Sequence, residues 1–176
     1  MKKLAVAAAL AAAFPIVTYA QSGPIRAELI GYEEVPAVAT RAGGTFEARV
    51  ARDNQSVDFT LSYAGLQGTV TQSHIHFAQK SVNGSIIVWL CGTPAPGPSG
   101  PPGTPTCPTA GTVSGTFTSL NVLPSTNPAT QQLAAGDLAR LIDAMESGIA
   151  YVNVHTSLSP GGEIRGQTTA RGESGR

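Results

Sequence analysis

Apolar and polar residues alternate with a period of two along much of this chain. In "SVDFTLSYAGL", Val57, Phe59, Leu61 and Tyr63 alternate with Asp58, Thr60 and Ser62. Successive side chains on a strand point to opposite faces, so this pattern predicts a half-buried antiparallel strand. "GTFEARVA" repeats it with Phe46, Ala48 and Val50, and "RDNQ" supplies the turn between the two. "AELIGYEEVP" reads as an opening strand. "GTVSGTFTSL" alternates around Val113, Thr116 and Phe117, with an irregularity marked by its internal glycine. "GSIIVWLCG" is a continuous apolar run, which predicts a central strand buried on both faces. "GIAYVNVHT" and "GGEIRGQTT" predict a closing hairpin joined by "SLSPG".

One segment has a different period. In "AAGDLARLIDAMESG", Leu138, Leu141, Ile142 and Met145 recur at i, i+3, i+4 and i+7, one face of a helix. Asp137 suits the positive end of that helix and Gly148 its C-terminal cap. Short strands punctuated by Gly and Pro predict a mainly all-β domain. The expected architecture is an antiparallel β-sandwich or Greek-key barrel, with one short amphipathic helix near 137–147.

The first twenty of the 176 residues, "MKKLAVAAALAAAFPIVTYA", place two lysines before an apolar run that ends on small residues. This reads as a signal peptide over 1–20 and implies an exported, periplasmic or secreted protein. The run is shorter than the roughly 20 residues a spanning helix needs. No second long apolar segment follows, so no membrane span is expected in the mature form. The β-domain is expected over 21–170, with a charged, Gly-rich tail at 171–176 that should fray. Lysine and arginine together number 11, as do aspartate and glutamate. With no basic patch, nucleic acid is not an expected partner.

Export permits disulfides. Cys91 and Cys107 flank "GTPAPGPSGPPGTPT", a Pro-rich loop over 92–106 that cannot form helix or interior strand. A bridge between them would close that loop, and is expected in preference to a pair of thiolate metal ligands.

The chain has three histidines, all in strand-like stretches. His74 and His76 in "TQSHIHFAQK" are two apart, so they project from one face, about 6.6 Å from each other along the strand. His155 follows Val152 and Val154 and shares a face with Asn153 and Tyr151. If the two strands are neighbours, three imidazoles meet. Three neutral imidazoles suit copper or zinc and would leave a fourth position open. The same residues also suit a structural cluster in which each imidazole hydrogen-bonds a carbonyl or carboxylate, and acid–base catalysis is a third reading. Strand neighbourhood is not readable from the sequence, so the readings stay open here.

No catalytic residue stands out. No serine sits in a strand–turn–helix elbow, and "GPSGPPG" lacks the lysine and helix of a phosphate loop. Glu33 and Glu34 are adjacent and would face opposite ways on a strand, which makes them a poor catalytic pair. Arg165 is expected to form a structural ion pair with Glu34. An interaction module that binds an envelope or matrix protein partner is the alternative to a metal-binding function, supported by low charge and Thr/Ser-rich strand faces.

Three segments in this order, "LIGYEEVPAV", "SHIHFAQKSVNGSIIVWL" and "GIAYVNVHTSLSPGGEIRGQ", resemble the chordin (CHRD) domain. They run from Leu29 to Gln167. The resemblance implies an extracellular or periplasmic β-domain and delivers no assigned activity; the Pro-rich loop is an insertion relative to the compact family pattern. The His-x-His strand is also similar to the copper-binding strand of Cu,Zn superoxide dismutases. The zinc loop and the active-site arginine context of those enzymes are not evident.

Overall fold

The computed structural model describes residues 23–94, 97–126 and 131–170; the expected signal peptide and the expected tail lie outside them. The strands are β1 (Ile25–Ile30), β2 (Gly43–Val50), β3 (Ser56–Ala64), β4 (Val70–Phe77) and β5 (Ser85–Gly92), then β6 (Gly111–Thr118), β7 (Ala150–Thr156), β8 (Ile164–Gln167) and β9 (Thr169–Ala170). Among the described residues they form one antiparallel sheet in the order β5-β4-β7-β8-β1-β2-β3-β6, with β9 on the edge of β1. The sheet curls until β5 and β6 approach one another, giving a nearly closed barrel. Of the two expected architectures, the molecule is barrel-like.

Period-two alternation in β2 and β3 does what it predicts. Phe46, Ala48, Val57, Phe59, Leu61 and Tyr63 are buried, while Asp58 and Thr60 face solvent. Phe59 joins its neighbours across the sheet, with ring centroids 6.4 Å from Phe46 and 6.3 Å from Phe117. Phe59 also accounts for the glycine in β6. The ladder between β3 and β6 is regular through Gly115, so the expected irregularity is absent. A Cβ at Gly115 would lie 2.9 Å from the Phe59 ring, so the glycine makes room for an aromatic side chain instead of a bulge.

The helix α1 (Leu138–Glu146) falls inside the expected span. The Asp137 side chain accepts a hydrogen bond from the Arg140 backbone N–H, and Gly148 (φ 74°) ends the segment in the left-handed conformation. Leu138, Leu141, Ile142 and Met145 are buried, and α1 packs on β7 and β9 as a crossover between β6 and β7.

β5 corrects one expectation. Its apolar run predicts a central strand, yet it ends the strand order and forms a ladder with β4 alone. Its free side is covered by other means. Gly92 N–H donates to the Pro105 carbonyl, Leu123 N–H donates to the Ile87 carbonyl, and a disulfide joins Cys91 to Cys107. An apolar run reports burial, and here the Pro-rich loop supplies the burial that a neighbouring strand would otherwise give. Among the described residues no helix is long and apolar enough to cross a membrane.

Candidate metal centre

β4 and β7 are antiparallel neighbours, and their register places Gln72 opposite His155 and His74 opposite Asn153. This pairing brings His155 diagonally beside His74, and all three imidazoles meet inside the protein. His74 is fully buried, and His76 and His155 are nearly so. One ring nitrogen from each lies within 4.8 Å of the others, so the group can hold a metal ion.

The ring nitrogens have defined roles because a carbonyl oxygen only accepts. His76 Nδ1 is 3.0 Å from the Gly84 carbonyl and His155 Nδ1 is 2.9 Å from the Pro160 carbonyl. Both Nδ1 atoms therefore carry the proton and both Nε2 atoms carry a lone pair. A backbone acceptor that fixes tautomer and ring orientation is what metal-ligating histidines usually have. His155 Nε2 lies 3.2 Å from His74 Nδ1. Two nitrogens each about 2.0–2.1 Å from a tetrahedral ion are about 3.3 Å apart, so that spacing suits a shared ion as well as a hydrogen bond. The Nε2 atoms of His74 and His76 are buried with no hydrogen-bond partner.

Burial keeps the rings neutral. It pushes His74 down to about 2, helped by the neighbouring His155 and His76. His76 is pushed down to about 4, chiefly by burial and against the Gly84 hydrogen bond. Burial also lowers His155, opposed by the Pro160 carbonyl. Neutral imidazole is the form that ligates metal.

Aromatic rings and a buried arginine enclose the cluster. The Trp89 ring meets His74 edge-on with centroids 4.3 Å apart, and His76 stacks on Tyr151 at 4.6 Å. The Arg165 guanidinium carbon sits 3.4 Å from the Tyr151 ring centre. Arg165 donates to Asn83 Oδ1 at 3.2 Å and to the Val82 carbonyl at 2.9 Å, and the Tyr151 hydroxyl accepts from Gly84 N–H at 3.3 Å. These bonds hold the turn between β4 and β5 that carries the Gly84 carbonyl to His76. Of this supporting set the sequence marks Tyr151, by its alternation with His155, and Arg165, though with a different partner.

The ion pair expected between Glu34 and Arg165 is not made as a direct contact. Glu34 follows a 3₁₀ turn (Gly31–Glu33) instead of lying on a strand, and the guanidinium is taken up by Tyr151 and the turn carbonyls. Glu34 is buried, its Oε1 has no hydrogen-bond partner, and its carboxylate packs onto Gly162, where a side chain would collide with it. Burial pushes its carboxyl up to about 7, opposed by the Arg165 charge, the Val35 backbone and the Asn153 amide. Glu33, in contrast, pairs with Lys80 at the surface. Cys91 and Cys107, joined to one another, offer no thiolate to the centre.

The family model of the CHRD domain matches residues 25–168, which include every residue of the centre. Comparison with curated proteins and with solved structures finds no match.

Proposed function

The chain belongs to the CHRD domain family, and from that premise and the geometry of the imidazoles we propose that it is an exported domain that binds zinc or copper through His74, His76 and His155. One observation carries the reading. The buried Nε2 of His76 holds a lone pair, because its Nδ1 proton goes to Gly84, and no donor meets it. An unmet buried acceptor costs about 1–3 kcal/mol, and a cation shared with His74 and His155 would offset that cost. A bound ion would supply Lewis acidity or, for copper, one-electron chemistry. The amino-terminal sequence pattern and the disulfide support export.

The test is metal analysis of protein purified without chelator, followed by zinc and copper titration. Trp89 is the chain's single tryptophan and stands against His74, so copper at this centre should quench its fluorescence. A variant with all three histidines changed to alanine should lose both uptake and quenching. Equal affinity in that variant would refute the site. Retained capture of an envelope or matrix protein by a variant without metal uptake would support the interaction-module reading instead.

A further inference from the structure

We propose that the side-chain oxygen of Asn153 is a fourth donor that closes this centre; the inference rests on the metal reading above. Asn153 is 2 % exposed and lies on β7 between His74 on β4 and Arg165 on β8. Its Oδ1 is 3.0 Å from His155 Nε2. That nitrogen carries a lone pair, because the ring proton is on Nδ1 and goes to the Pro160 carbonyl. An amide oxygen and an unprotonated imidazole nitrogen have no proton to share. At 3.0 Å they repel each other unless a cation lies beside both.

His74 Nδ1 stands 3.2 Å from the same nitrogen. Donors about 2.0–2.1 Å from one ion are about 2.9 Å apart at a right angle and about 3.3 Å apart at the tetrahedral angle. Both measured spacings fall in that interval.

Three imidazoles and one amide oxygen make a closed four-donor set. Such a set suits zinc in a structural role, and the hard oxygen disfavours cuprous copper. The competing arrangement reverses the amide, with Nδ2–H donating to His155 Nε2 in the metal-free protein and turning aside when an ion binds, so that the fourth position is open.

Cobalt(II), a spectroscopic stand-in for zinc, separates the two. The visible spectrum of cobalt-loaded wild-type protein should not change when azide is added. In Asn153→Leu, zinc affinity should fall at least about tenfold, since losing even an outer-shell partner costs about 10–100-fold. Its cobalt spectrum should then respond to azide. Asn153→Asp should bind zinc at least as tightly as wild type. An azide response in wild type, which an open fourth position predicts, undiminished zinc affinity in folded Asn153→Leu, or an equal loss in Asn153→Asp, which a remote role predicts, would each overturn the inference. The wild-type azide titration needs no variant to fold. Failure of the wild-type protein to take up either ion would fall on the metal reading itself and remove this inference with it.

Discussion

Acidification of the metal-free protein should reveal two opposing ionisations buried around the centre. His74 and His76 have folded values depressed from 6.5 to about 2 and about 4. Their contribution to stability is complete above 6.5 and is lost as pH falls toward those values, because the unfolded chain binds protons that the folded chain refuses. At pH 5 each ring kept neutral costs about 2 kcal/mol relative to pH 7.5, or about 4 kcal/mol for the pair. Glu34 runs the other way. Its folded value is raised from 4.5 to about 7, so its contribution is present below 4.5 and lost as pH rises through 7. Between pH 7.5 and 5 it restores about 2 kcal/mol. His155, also lowered by burial, acts in the same direction, so wild-type protein in chelator should lose at least about 2 kcal/mol over that interval, and Glu34→Gln at least about 4 kcal/mol. Glu34→Gln should also be the more stable of the two at pH 7.5. Urea unfolding at both pH values measures each quantity. Equal pH dependence in the two proteins would refute the account of Glu34. A flat profile in Glu34→Gln would show that the imidazoles titrate normally and are not buried as described.

Three further outcomes are expected. In Gly84→Ala, the new Cβ would run into the Phe77 carbonyl oxygen and displace the Gly84 carbonyl that holds His76 Nδ1; zinc affinity by competition titration should fall about 10–100-fold, and unchanged affinity would remove this carbonyl from the centre. Replacing Cys91 and Cys107 by serine should cost about 1–3 kcal/mol in urea unfolding while copper quenching of Trp89 persists, since neither sulfur is a ligand; lost quenching would show that the Pro-rich loop shapes the centre. Truncation of Phe46, which is buried against Phe59, should cost about 3–5 kcal/mol, and a loss below about 1 kcal/mol would contradict its place in the core.

Much of the local architecture was legible in the sequence. Strand periodicity in 43–50 and 56–64, the helix near 137–147, and the common face of His74 and His76 all follow from side-chain direction along one element. That direction depends on backbone geometry and near neighbours, which a linear pattern records. The CHRD resemblance rested on the order of three segments, and the family match spans them all. The tertiary structure alone decided the rest. It put β7 beside β4, with His155 diagonal to His74, and β5 at the seam in place of the sheet centre. It also drew Arg165 onto Tyr151 instead of Glu34, and aimed the carbonyls of Gly84 and Pro160 at two imidazoles. These contacts join residues remote along the chain, or depend on the path a loop takes. Apolar alternation states which face of a strand is buried and carries no address for the strand that will cover it. Which imidazole nitrogen keeps its proton, and whether three lone pairs converge, is settled only when the folded sheet brings those distant edges together.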